Sequence, residues 1–192
     1  MIRKTLVALA ATLVALPAAQ AQVSSFAAGL GPEVAGARGD GAVFVEYNAG
    51  TQQLSIDAIW FGLSGATTVA HIHCCTTPPG AGTIGVAVTP GTLPGFPVGV
   101  AFGSYSVTLD LTNPATFTTG FINNFGGGTV AGASAALLAG MTAGRAYFNV
   151  HSNAFPGGEV RGFLQPVPEP GTWGLMALGL AVVGVAARRR SA

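Results

Sequence analysis

The chemistry this sequence could do rests on three histidines and two cysteines. His71 and His73 stand as His-x-His in Ala70-His71-Ile72-His73-Cys74-Cys75, and His151 ends Ala146-Tyr147-Phe148-Asn149-Val150-His151. Alternate residues of a strand share a face, so His71 and His73 point one way while Ala70 and Ile72 point to the core. Imidazole with thiolate or carboxylate is a ligand set for Zn or Cu. His71, His73 and His151 are therefore a candidate metal set, with Glu159 or a cysteine as a further ligand. The same residues fit a second reading, a network of hydrogen-bonded structural histidines that needs no cofactor.

Cys74 and Cys75 are adjacent. Neighbouring Cα atoms across a trans peptide are ~3.8 Å apart, short of the ~4.4–6.8 Å usual for a disulfide. A vicinal bridge thus requires a special turn, which the following Thr76-Thr77-Pro78-Pro79 could supply. Free thiols, an intermolecular bridge and metal ligation are the other fates of the pair.

Enzyme signatures are missing. The chain has no Gly-x-Ser-x-Gly elbow and no His-Glu-x-x-His, and its few acids form no paired-carboxylate pattern. Five of the eight basic residues (Arg3, Lys4, Arg188, Arg189 and Arg190) lie at the two ends. Between residues 22 and 167 stand only Arg38, Arg145 and Arg161 against six acids, a net charge of −3. No basic patch exists there to neutralise phosphates, which excludes a nucleic-acid partner. A non-enzymatic binding or structural role is expected.

The elements that would hold these side chains read as strands and turns. Residues 53–60 alternate, with Leu54, Ile56, Ala58 and Trp60 on one face and Ile59 interrupting the polar face, the pattern of a half-buried antiparallel strand. Residues 43–47, 68–73, 83–88, 104–111, 147–151 and 159–164 are further strand segments, and 131–141 (AGASAALLAGM) is a short helix. The glycines at 126–128 mark a flexible loop. Pro156-Gly157-Gly158 predicts a hairpin. Pairing His151 with Glu159 would line one face with Tyr147, Asn149, His151, Glu159 and Arg161. Short strands divided by Pro-Gly turns predict an all-β domain, an antiparallel β-sandwich or small Greek-key barrel with one short helix.

Both histidine segments resemble the CHRD domain, named from chordin. The likeness lies in Ala70-His71-Ile72-His73 mid-domain and in Asn149-Val150-His151 with Pro156-Gly157-Gly158-Glu159-Val160-Arg161-Gly162 at the end, and Leu30-Gly31-Pro32-Glu33-Val34 is similar to the family's opening. The chain departs from the pattern at Cys74-Cys75, where glycine is typical, and at Ala35-Gly36, where prolines are. The resemblance implies an extracellular β-sandwich-like module without a defined activity.

The two ends read as addresses. Arg3-Lys4, the apolar run 6–16, Pro17 and Ala19-Gln20-Ala21 are the parts of a secretory signal peptide with cleavage after Ala21. At the other end, Pro168-Glu169-Pro170 precedes an uncharged stretch, 173–187, and then Arg188-Arg189-Arg190. As a helix that stretch rises about 22 Å, a marginal span whose arginines stay cytoplasmic. This order resembles the PEP-CTERM sorting signal, which implies an exosortase-type enzyme as partner and a membrane contact through the C-terminal hydrophobic helix before processing.

The expected layout is a signal peptide with its helix (1–21), a CHRD-like β domain (22–166) and a sorting signal (167–192). Such a protein would be exported to the cell envelope, outer surface or medium. There it would serve as a structural or interaction module, in biofilm or among extracellular polysaccharides. The alternative is an extracytoplasmic Cu or Zn protein, or a redox protein. Fractionation of cells with and without the exosortase gene tests the address: the protein is expected to change size and compartment on deletion, and an unchanged protein would refute the sorting claim.

Overall fold

The computed structural model describes residues 23–168, together with Gly179 and Leu180. The signal helix and the C-terminal hydrophobic helix expected from the sequence lie outside the described residues. Among the described residues no helix is long and apolar enough to cross a membrane.

The domain is all-β in plan. Its strands are β1 (Val23–Pro32), β2 (Asp40–Asn48), β3 (Gln53–Phe61), β4 (Thr67–His73), β5 (Val86–Val88), β6 (Gly103–Asp110), β7 (Tyr147–Ser152), β8 (Val160–Phe163) and β9 (Gln165–Pro166). All pair antiparallel in one curled sheet ordered β5-β4-β7-β8-β1-β2-β3-β6, with β9 alongside β1. Two helices, α1 (Thr119–Asn124) and α2 (Val130–Thr142), and a 3-10 turn at Pro114–Thr116 lie between β6 and β7.

Strand β1 joins the two halves of the curl. Val23 to Leu30 pair with β2, and Gly31 and Pro32 pair with β8. Gly162 of β8 lets the strands approach: a Cβ there would run into the Gly29 carbonyl and the Ala28 side chain of β1. β2 and β3, which contain the expected strand segments 43–47 and 53–60, pair as a hairpin. Asn48 Oδ1 accepts from the amides of Gly50 and Thr51 at 3.0 Å each and shapes its turn.

The period-2 patterns send their apolar faces into one core. Val45, Leu54, Ile56 and Trp60 meet Ala70, Ile72, Phe148, Val150 and Val160 there, with Leu137 and Met141 of α2. Trp60 stacks on Phe96 at 5.1 Å. Ile59, which breaks the polar alternation, is 52% exposed.

α2 covers the sequence-predicted helix and extends it by a residue at each end. α1 is an addition; its six residues hold too few turns for a helical period to show in the sequence. The glycines at 126–128, expected as a flexible loop, form a hydrogen-bonded joint between the helices. Gly128 N–H donates to Ile122 O at 3.0 Å, and a Cβ on Gly132 would overlap the Gly126 carbonyl.

Trp60 is 1% exposed, and its indole abuts the Gly103 backbone. Trp60→Ala is expected to cost about 3–5 kcal/mol in urea unfolding. A loss under 1 kcal/mol would place Trp60 outside the core.

Candidate metal centre

The face of β4, β7 and β8 turned away from the core carries the polar residues. His71 stands opposite Asn149, His73 opposite Tyr147, and His151 opposite Val69. Their strand neighbours Ala70, Ile72, Phe148 and Val150 are buried on the core side. The chain then folds back over this face between β4 and β6 and brings backbone carbonyls down onto the rings.

The structure places His71, His73 and His151 together. One nitrogen from each lies within 4.8 Å of the other two. His71 Nδ1 is 3.3 Å from His151 Nε2. The rings of His71 and His151 meet edge-on at 5.1 Å, and His73 stacks flat on Tyr147 at 4.6 Å. His71 and His73 are buried, and His151 is half-buried.

Each ring has its remote nitrogen on a backbone carbonyl at 2.7 Å: His71 Nε2 on Gly91, His73 Nδ1 on Ile84 and His151 Nδ1 on Pro156. A carbonyl only accepts, so each remote nitrogen carries the proton. With one proton per ring, the near nitrogens (His71 Nδ1, His73 Nε2, His151 Nε2) are lone pairs that converge on one another. Histidines that bind metals are held in this way, with the other N–H donated to a fixed acceptor. His73 Nε2 is buried, and no described side chain or backbone group hydrogen-bonds to it.

Burial keeps a second proton off the His71 and His73 rings. Burial pushes the pKa of His71 down to about 4; the Gly91 carbonyl works against this, and the charges of His151 and His73 reinforce it. His73 is lowered too, chiefly by burial. Two ligands at ~2.0–2.1 Å from a tetrahedral ion are about 3.3 Å apart, matching the His71–His151 separation.

Glu159 is not brought to this cluster. Its N–H donates to Val150 O at 2.8 Å, and β8 begins only at Val160. The β7–β8 ladder ends at Val150–Val160, and beyond it the Glu159 carboxylate lies under the β3–β4 turn, where it accepts from Ser64 N–H and is fully buried. The other four residues expected on one face stay there. Asn149 pairs with Arg161 across the hairpin, and Arg161 lies over the Tyr147 ring at 5.2 Å.

The cysteines stand just past β4 and are also outside the cluster. A disulfide joins Cys74 to Cys75 across a cis peptide bond. α2 seats directly on it: a Cβ on Gly140 would overlap both sulfurs. The sorting-signal residues Glu169, Pro170, Arg188, Arg189 and Arg190 lie outside the described residues, and Pro168 is the last residue described before them.

Sequence reasoning missed Glu33. It forms an ion pair with Arg161 at 3.4 Å and accepts from Asn149 Nδ2 at 3.2 Å. Gly158, at φ 127°, lets the chain pass: a Cβ there would overlap the Glu33 carboxylate. A lone Arg161 without lysines nearby was the available signal that some acid must face it.

Comparison with family models matches residues 19–164 to the CHRD domain and residues 166–190 to the PEP-CTERM protein-sorting motif. Searches of curated proteins and of solved structures found no match.

Burial acts to raise the pKa of Glu159, but hydrogen bonds from Ser152, Ser64 and Gly65 outweigh it and hold the carboxyl below its ordinary value. A lowered folded-state pKa means stability that is present above the unfolded value and lost as pH falls. Glu159→Gln is therefore expected to cost about 1–3 kcal/mol near neutral pH. The gap from the parent should close as pH falls below about 4. A gap that persists in acid melting curves would contradict the charge's role.

Proposed function

The chain belongs to the CHRD domain family and carries a PEP-CTERM sorting signal, and from that premise we propose a cell-surface module that holds one Zn or Cu ion on His71, His73 and His151. The sorting signal makes this an exosortase-processed, extracytoplasmic protein of the cell envelope or surface. Neither family is an enzyme family. In this reading residues 1–21 are removed, residues 22–166 are the working domain, and residues 167–192 anchor the chain in the inner membrane only until processing.

The convergence of the three near imidazole nitrogens, with His73 Nε2 buried and unpartnered, carries the metal reading. A purely structural histidine network would set a donor against each of these lone pairs. Here all three N–H groups are spent on carbonyls instead. The donor set is all imidazole, which suits Zn and Cu and disfavours Mg or Ca.

The ion's role would be to fasten covering segments to the sheet. Gly91 and Ile84 belong to the segment over β4, and Pro156 to the β7–β8 loop. An ion that binds only the folded state stabilises it by about 2.7 kcal/mol at 100 times Kd. That would suit a module working as a structural or interaction unit among extracellular polymers, the role we assign to the domain.

Elemental analysis and melting of the purified full chain test the reading. About one Zn or Cu per chain is expected, with the melting temperature falling by several degrees after chelation and recovering when the ion is restored. His151→Ala, which alters the most exposed ligand, should abolish stoichiometric binding. A metal-free chain whose melting ignores both chelator and added ion would overturn the proposal.

A further inference from the structure

We propose that Asn149 Oδ1 is a fourth ligand of the histidine centre, making it an N3O site selective for a divalent ion, Zn2+ or Cu2+, over Cu+. This rests on the metal reading above and adds to it a residue and a specificity.

Asn149 is 1% exposed and stands directly opposite His71 on the same face of the sheet. Its amide orientation is fixed by chemistry. Nδ2 lies 3.2 Å from Glu33 Oε2, and an ionised carboxylate accepts only, so the NH2 must face Glu33. Glu33 is itself held by Arg161, which also donates to Gly82 O at 3.0 Å. Gly158 leaves room for the pair, since a Cβ there would overlap the Glu33 carboxylate and sit 3.0 Å from Asn149 Nδ2.

With Nδ2 turned outward, Oδ1 is turned inward. It is buried and has no hydrogen-bond partner among the described residues, and the same is true of His73 Nε2. The Asn149 side chain lies within hydrogen-bonding reach of the His73 ring. The His73 proton is already given to Ile84 O. Two buried acceptors without a donor thus stand together, beside His71 Nδ1 and His151 Nε2, which lie 3.3 Å apart. Leaving a buried acceptor unpaired is costly, and one shared cation would satisfy both.

The donor types set the preference. Three imidazoles and an amide oxygen supply no sulfur, and sulfur is what draws Cu+. The nearby cysteines are tied to each other and take no part. An oxygen ligand favours the harder, doubly charged ions.

The test compares the full chain with Asn149→Leu, and compares Glu33→Gln with Glu33→Gln/Asn149→Asp, in which the introduced glutamine amide supplies a donor where Glu33 would repel the new carboxylate. Affinity is measured with Zn2+ and Cu2+ salts by competition, and with Cu+ under a chelator and reductant. Asn149→Leu, close in volume, is expected to weaken Zn2+ binding tenfold or more while Cu+ binding changes less than threefold. Adding Asn149→Asp to Glu33→Gln should tighten Zn2+ binding by tenfold or more, which keeps the test open if the leucine variant fails to fold. Unchanged Zn2+ affinity in folded Asn149→Leu, or no gain from Asn149→Asp in the Glu33→Gln background, would overturn the fourth ligand while leaving the three-histidine site in place; a water molecule between the two acceptors would give that result. A parent chain that binds none of the three ions would overturn both.

Discussion

Three backbone carbonyls govern the chemistry of this domain. By accepting the remote N–H groups of His71, His73 and His151, those of Gly91, Ile84 and Pro156 leave three lone pairs pointing inward. Had one carbonyl been replaced by a donor, that ring would carry its proton on the other nitrogen, and the cluster would close on itself as an ordinary hydrogen-bonded network. What the side chains can do is therefore decided by loops that contain none of them. The fold serves to bring those loops over the outer face of β4 and β7.

That placement is built from glycines and one buried charge. Gly158 permits the turn that puts Pro156 O on His151 and leaves space for Glu33. Glu33 then ties β1 to β8 through Arg161 and orients Asn149. Glu159, one residue on, faces the other way and holds the Ser64 turn. The Pro-Gly-Gly-Glu-x-Arg-Gly segment is thus a folding device: consecutive residues serve opposite faces of the sheet where the ladder ends, with Glu159 outside it. On the far side, the vicinal disulfide gives α2 a seat that only glycine at position 140 can use.

Much of this was legible in the sequence. Strong alternation at Leu54, Ile56, Ala58 and Trp60 marked β3, and His71-x-His73 declared a shared face. β1 was not legible, although it joins the halves of the sheet. Its sequence, VSSFAAGLGP, is small and glycine-rich, and such residues carry little strand signal. The departure of Glu159 was hidden for a different reason. The hairpin keeps the expected register, with Asn149 opposite Arg161, but its ladder stops at Val150–Val160, and where a ladder stops leaves no mark on composition. Glu33 could not be matched to Arg161 because 128 residues separate them. The C-terminal sorting signal was legible because the order of its parts along the chain is itself the signal, and family matching supports it.

The account stands on the protonation pattern of the three rings, which long-range proton–nitrogen NMR reads directly in the metal-free chain at neutral pH. It predicts His71 as the Nε2–H tautomer and His73 and His151 as Nδ1–H tautomers, with the three near nitrogens bare. A spectrum showing an imidazolium, or a proton on His71 Nδ1 or His151 Nε2 bridging those two rings, would contradict it.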